Sequence, residues 1–239
     1  MINSNLLSVV FLILLFCVTC CNGDNSKIHD TIEKMHWNGQ ASWRIESGEK
    51  NIYIDPLQLP EGSPKADIIF VTHSHGDHLS IIDIESISGE NTILIGPKTC
   101  EEKLKSTGVK NIKLINPNDD FTVDGIQVKA VPAYNIRKTQ FHPKENNWVG
   151  YIIDVDDVKI YHSGDTERIP ETKTFDCDIA LLPLGQTYTM DTVEEAVQAV
   201  LDINPTVAIP MHYGMYEGTV EDAEKFKKLL EGKIEVIIK

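Results

Sequence analysis

The chain has 239 residues, enough for one substantial domain and short for two. Asp and Glu outnumber Lys and Arg by 36 to 22, a formal net charge of −14, and no charged residue precedes Asp24. An acidic surface of this kind repels phosphate backbones and argues against nucleic acid as a partner. Beyond residue 21 the only cysteines are Cys100 and Cys177. Two cysteines are too few for a disulfide framework, and both read as small packed residues.

Leu6 to Val18 is an apolar run without charge. It falls short of the ~20 residues that span a bilayer and suits the core of a signal peptide. Cys17, Cys20 and Cys21 close the run, leaving two readings of residues 1–21. One is a lipoprotein-type signal with Cys20 or Cys21 acylated. The other is an ordinary cleaved signal, because Met1 to Asn5 lack Lys and Arg and neither Thr19 nor Cys20 is the usual residue before an acylated cysteine. Both imply export, to the periplasm, to a membrane through the lipid anchor alone, or to the medium. Residues 22–33 read as a polar linker, and residues 34–239 as the folded domain.

Within that domain, Met35 to Glu46 reads as one strand and Lys50 to Ile54 as its partner, turning at Ser47-Gly48-Glu49. Ala66 to Val71 is nearly all apolar, the mark of a strand covered on both faces. Helices are predicted over Leu79 to Ile87 and Cys100 to Ser106, with strands over Thr92 to Ile95 and Asn111 to Ile115. Phe121 to Val131 reads as a hairpin turning at Asp124-Gly125, and Trp148 to His162 as another turning at Asp156-Asp157. Ile179 to Leu184 reads as a buried strand. Asp191 with Glu194 suggests a capping box opening a helix that runs to Leu201. Val207 to Met211 is predicted strand, Val220 to Leu230 helix and Lys233 to Ile238 a closing strand. Alternating strands and helices in two similar halves make one α/β domain.

The segment Val71-Thr72-His73-Ser74-His75-Gly76-Asp77-His78 carries the chemistry. Imidazole is the commonest neutral metal ligand, and a carboxylate among imidazoles offsets the charge of a dication. Extended backbone from His73 to His75 projects both rings to one side, toward one metal. A sharp turn at Gly76 then aims Asp77 and His78 at a second. Four ligand-type residues in six positions make a polar surface loop a poor alternative.

His73-x-His75-x-Asp77-His78 resembles the signature of the metallo-β-lactamase superfamily. Tyr161-His162-Ser163-Gly164-Asp165-Thr166 and Ile209-Pro210-Met211-His212-Tyr213-Gly214 match its later segments. Their order is similar to the metal-dependent hydrolase branch that includes ascorbate-6-phosphate lactonase-like and N-acylphosphatidylethanolamine phospholipase D-like proteins. The likeness spans residues 34 to 239 and implies a four-layer αββα sandwich with metals at the strand ends. It also implies that Asp165 bridges two metals, that His212 joins Asp77 and His78 on the second, and that Asp55 supports the ligands from behind, a turn residue before Pro56 being the other reading of Asp55. The first metal is where the chain departs from the pattern. Asn135 stands where a third histidine is expected, and His142 is the nearest replacement; the alternatives are a weak oxygen ligand at Asn135 or a half-open first site, with His142 then a proton donor or substrate contact at the cavity mouth. His162 reads as packed, and His29 and His36 as structural. Of Tyr134, Tyr188 and Tyr213, the resemblance puts Tyr188 on a loop facing the cavity, as a contact for substrate or a proton donor.

The implied reaction is hydrolysis by a metal-bound hydroxide at two divalent metals, zinc first, with Mn2+ or Fe2+ as alternatives. Asp77 and Asp165 would orient the nucleophile. An ester, lactone, phosphodiester or amide of a small molecule or lipid would fit. Two other readings stay open: an iron-dependent, persulfide dioxygenase-like redox enzyme on the same fold, and a metal-binding protein without catalysis.

Overall fold

The computed structural model describes residues 25–239, so the signal-peptide expectation for residues 1–21 lies outside it. Helix α1 covers residues 25–33. Strands β1 (Met35–Trp37), β2 (Trp43–Ser47), β3 (Lys50–Ile54) and β4 (Ile68–Phe70) follow, then helix α2 (Ile81–Ile87) and strand β5 (Ile93–Pro97). Helix α3 (Glu101–Ser106) leads to β6 (Asn111–Ile115), β7 (Asp120–Val123), β8 (Ile126–Pro132), β9 (Val149–Val155), β10 (Val158–His162) and β11 (Ile179–Pro183). Helix α4 (Val193–Ile203), β12 (Val207–Met211), α5 (Val220–Leu230) and β13 (Glu235–Val236) complete the order.

Two sheets result. β1 to β6 lie in sequence order in the first, and the second runs β13-β12-β11-β10-β9-β8-β7. The period-two rule of strands decides what each residue packs against. In β12, Val207, Ile209 and Met211 face the core between the sheets, while Ala208 faces the helices outside. In β4, Ile68 and Phe70 point inward and Ile69 points outward, toward Ile84 of α2 and Leu104 of α3. The outer face of the second sheet is covered by α4, through Ala196, Val197 and Val200, and by α5, through Ala223, Phe226 and Leu230. Those spacings of three and four residues are one helical face. The layers are therefore helix, sheet, sheet, helix, as the resemblance implied.

Four expectations need correction. Residues 25–33 are helix, not linker: Ile28 and Ile32, four apart, insert into the inter-sheet core. Two isoleucines among polar neighbours were too sparse a pattern to register. The predicted strand Met35 to Glu46 breaks into β1 and β2, because Gly39 and Gln40 take left-handed φ values of 96° and 50°. And α4 is capped by Thr192, whose side chain accepts from Glu195 N, rather than by Asp191; it continues to Ile203, where Asn204 turns left-handed. The closing strand is only Glu235–Val236.

Candidate metal centre

Neighbouring parallel strands end at one edge of the sandwich, and the loops leaving them carry the chemistry. β3 pairs with β4 so that Ile54 lies beside Phe70, which sets Asp55 at the start of the 71–80 loop. Asp55 N donates to Phe70 O, and its carboxylate accepts from Thr72 N at 2.8 Å and Thr72 Oγ1 at 2.6 Å. β12 delivers His212, and β10 delivers Asp165 through Gly164, whose φ of +58° brings the backbone to where a Cβ would press on Thr72 and Val149 O. Asp55 and His212 both hold left-handed φ, 46° and 60°, a strained backbone that surrounding packing has to maintain.

These loops assemble two ligand groups. His73, His75 and His142 place nitrogens within 4.8 Å of one another, and so do the ligand atoms of Asp77, His78 and His212. Asp165 lies between. Its Oδ2 is 3.4 Å from His78 Nε2, 3.3 Å from His142 Nε2 and 3.9 Å from His73 Nε2, and its Oδ1 is 3.2 Å from His212 Nε2. His78 Nε2, His142 Nε2 and Asp165 Oδ1 are buried without a hydrogen-bond partner. Buried polar atoms left unpaired are costly, and ring nitrogens converging on a carboxylate in this way fit cations. Tetrahedral zinc takes this donor set of imidazoles and carboxylates.

The rear nitrogens are held as well. His73 Nδ1 is 2.9 Å from Thr72 Oγ1, His78 Nδ1 is 2.7 Å from Asp55 Oδ2, and His142 Nδ1 is 3.2 Å from Tyr188 O. His212 Nδ1 is 3.0 Å from Glu217 Oε1. Contacts of this kind fix the tautomer and ring orientation of a ligating histidine.

Electrostatics separates the groups. Burial, reinforced by His78, holds His73 well below the ordinary imidazole range, and burial beside His142 lowers His75. Burial also opposes charge on His78 and His212, but carboxylates outweigh it. Asp165 and Asp55 hold His78 well above its usual value, and Asp165 with Glu217 lifts His212 to about 9. Asp165 itself, though buried, is driven well below the carboxylate range by His212 and His78.

The structure brings together every residue expected at the site. Asn135 sits behind His142, its Nδ2 donating to Tyr188 O and Lys138 O and its Oδ1 buried without a partner, and His142 occupies the position beside His73 and His75. The loop between them closes on itself, Asn135 N donating to His142 O at 2.8 Å. Gly76 behaves otherwise than expected. The turn is made by His78 N donating to His75 O; Gly76 takes no left-handed φ, and a Cβ there would meet nothing. Its small size instead leaves the cavity wall open. That cavity holds about 480 Å3 and is lined by His75, Asp77, His142, Asp165 and His212 together with Gly76, Phe141, Tyr188 and Tyr216. Tyr188, 39% exposed, packs edge-on against Phe141. Tyr134 points elsewhere, its hydroxyl donating to Glu171, and Tyr213 packs at a tilt against Trp37. His162 is packed, its Nε2 donating to Ala41 O.

Four functional positions had escaped the sequence reading. Gln40, in the break between β1 and β2, sets Nε2 2.7 Å from His212 Nε2 and 3.1 Å from Asp77 Oδ2, and its Oε1 is buried without a partner. Glu167 is wholly buried and accepts from Ile136 N, Arg137 N and Lys138 N, holding the loop that bears His142. Trp148 packs against His73, His75 and His142. Glu217 lies behind His212. Each is an isolated residue in a loop, with no motif around it; only the glycine beside Gln40 hinted at a break.

Residues 34–212 match the family model described as "Beta-lactamase superfamily domain". The chain is 32% identical over 224 residues to a UPF0173 metal-dependent hydrolase of Methanopyrus kandleri, covering 86% of this chain and 96% of that one. It is 36% identical over 220 residues to one of Pyrococcus horikoshii, covering 86% and 95%. A solved structure of a candidate metal-dependent hydrolase from Parabacteroides distasonis superposes with a TM-score of 0.76 at 33% identity, covering 86% of this chain and 91% of that one. With the helix–sheet–sheet–helix layers and the two ligand groups at the strand ends, these likenesses show that the chain belongs to the metallo-β-lactamase superfamily.

Proposed function

We propose that this chain is a metal-dependent hydrolase with a dinuclear centre, zinc being the metal its donors suit best. His73, His75 and His142 would hold one ion, Asp77, His78 and His212 the other, and Asp165 both. The observation that carries the reading is Asp165, a buried carboxylate whose two oxygens face histidines of both groups. Two divalent ions bound there supply Lewis acidity and a water of lowered pKa.

The chain's own residues do the rest. Asp165 and Asp77 accept hydrogen bonds from the attacking water and orient it. Asp55 keeps the His78 ring in place through Nδ1. Phe141, Tyr188 and Tyr216 form the wall against which a substrate lies, and the half-exposed Tyr188 phenol is proposed to donate to the leaving group. An ester, lactone, amide or phosphodiester of a small molecule or lipid suits a cavity of this size and lining. Export through residues 1–21 and the lack of a nucleic-acid partner belong to the same proposal and rest on the sequence.

The test is metal content by inductively coupled plasma mass spectrometry alongside a panel of aryl esters, lactones, amides and bis(p-nitrophenyl) phosphate. Two zinc ions per chain with turnover of one of these, lost in Asp165→Ala and His73→Ala, is the expected result. One iron per chain with no hydrolysis would overturn it in favour of redox chemistry, and unchanged biological effect in both variants would favour a non-catalytic role.

A further inference from the structure

Glu217 is a carboxylate in an unexpected place. After β12 the chain doubles back, Gly214 N donating to the carbonyls of Glu217 and Gly218, and this turn inserts the Glu217 side chain beneath His212. The side chain is 3% exposed, and among the described residues no lysine or arginine lies within ion-pairing distance. A lone buried carboxylate is costly unless hydrogen bonds answer it. Here Oε2 accepts from Thr187 N at 2.8 Å and Tyr188 N at 3.1 Å. Oε1 stands 3.0 Å from His212 Nδ1, not in line for a straight hydrogen bond, and neither atom has another partner.

The room for this carboxylate is made by Gly185. A Cβ on residue 185 would come within 1.8 Å of Glu217 Oε1 and 2.2 Å of its Cδ. Gly185 has no left-handed φ to explain it. Its lack of a side chain is what lets the carboxylate reach both His212 and the 187–188 backbone. That backbone continues to Tyr188, whose carbonyl accepts from Asn135 Nδ2 and faces His142 Nδ1. One carboxylate therefore touches a ligand of the second group and the loop that backs a ligand of the first.

We propose that Glu217 is a positioning residue that fixes His212 for its metal and locks the Tyr188 loop to it, with Gly185 as the space it requires. The inference rests on the dinuclear reading above. Outer contacts to ligating histidines are worth roughly 10- to 100-fold in metal affinity.

The experiment is zinc titration against a chromogenic chelator, resolving the two binding steps, for wild type, Glu217→Ala, Glu217→Gln, Gly185→Ala and the Gly185→Ala/Glu217→Ala pair, with folding followed by near-UV circular dichroism. Glu217→Ala is expected to weaken the step at His212 about 10- to 100-fold and the step at His142, reached only through the Tyr188 loop, by a smaller factor, and Glu217→Gln, which keeps an acceptor, to weaken both less. Gly185→Ala, which evicts the carboxylate without altering it, is expected to weaken the same steps. The pair should be no worse than either single variant, since both remove one contact. If Glu217→Ala does not fold, Glu217→Gln and Gly185→Ala carry the comparison. Two zinc ions bound at wild-type affinity by folded Glu217→Ala or Gly185→Ala would overturn the inference alone. A wild-type chain that binds no zinc would overturn the dinuclear reading with it.

Discussion

The two ligand groups share Asp165 and differ in almost everything else. In the group of Asp77, His78 and His212 a carboxylate stands behind each of the two histidines, Asp55 behind His78 and Glu217 behind His212. His73, His75 and His142 have no carboxylate behind them; Trp148 packs on all three, and His142 arrives on a loop held by Glu167 from outside the ligand set. The same residue type is thus tuned in opposite directions. The carboxylate-backed His78 and His212 favour charge, and the buried His73 and His75 resist it. A protein can in this way build one site that competes with protons and another that does not.

The comparison is broken most severely by removing what the groups share. Asp165→Ala should lose both metals and cost about 4 kcal/mol of transition-state stabilisation, roughly 10³-fold in kcat/KM, measured on whichever substrate the panel yields. A variant that kept one metal at full affinity would show that Asp165 serves a single site.

Glu167→Ala should act on one side only. It orphans three backbone N–H groups and frees the 135–142 loop, a loss of about 2–3 kcal/mol in urea unfolding of the metal-free chain. It should weaken the first metal about tenfold through His142 and leave the second unchanged. Equal weakening of both steps would mean that the loop is not a separate unit.

Proton release sharpens the contrast. At pH 7.5 His212, raised to about 9, carries a proton that metal must displace, whereas His73 and His75 are already neutral. The second site's affinity should therefore rise with pH up to about 9, with no such proton to displace from His73 or His75 at the first, read by calorimetry in buffers of different ionisation enthalpy. The sign for the metal-free fold is opposite. A histidine raised from about 6.5 to about 9 contributes stability that is complete below pH 6.5 and is lost as pH climbs through 9. Metal-free protein should unfold at lower urea at pH 9.5 than at pH 6.

The smallest effect concerns the thiols. Burial pushes Cys100 up to about 11 and Cys177 up to about 12, which keeps both protonated at neutral pH. Iodoacetamide at pH 8 should modify them in the folded chain at least about tenfold more slowly than in urea. Rapid labelling of Cys100, which lies beside the His73–His78 turn, would mean that the turn is open.

Much of this was legible in the sequence for physical reasons. His73 to His78 are neighbours in the chain, so their chemistry shows without a fold. Asp165 and His212 follow apolar strands, and a polar ligand at such a boundary stands out. His142 emerged because Asn135 left a gap, and the structure closes that gap through a hydrogen bond from Asn135 N to His142 O. Gln40, Glu167 and Glu217 stayed hidden because each acts at a distance set by packing. Gln40 needs a strand to break, Glu167 needs a loop folded over it, and Glu217 needs the missing side chain of Gly185, 32 positions earlier in a chain whose spacing alone says nothing of contact. α1 was missed on the same ground, two isoleucines being a weak pattern until the inter-sheet core is there to receive them.

The central claim, two metals in two distinguishable sites, is tested most directly by native mass spectrometry of the zinc-loaded chain and of His142→Ala. Two zinc ions on the wild type and one on the variant, retained by Asp77, His78 and His212, are the expected result. A wild type that saturates at one ion, or a variant that still binds two with wild-type affinity, would contradict it.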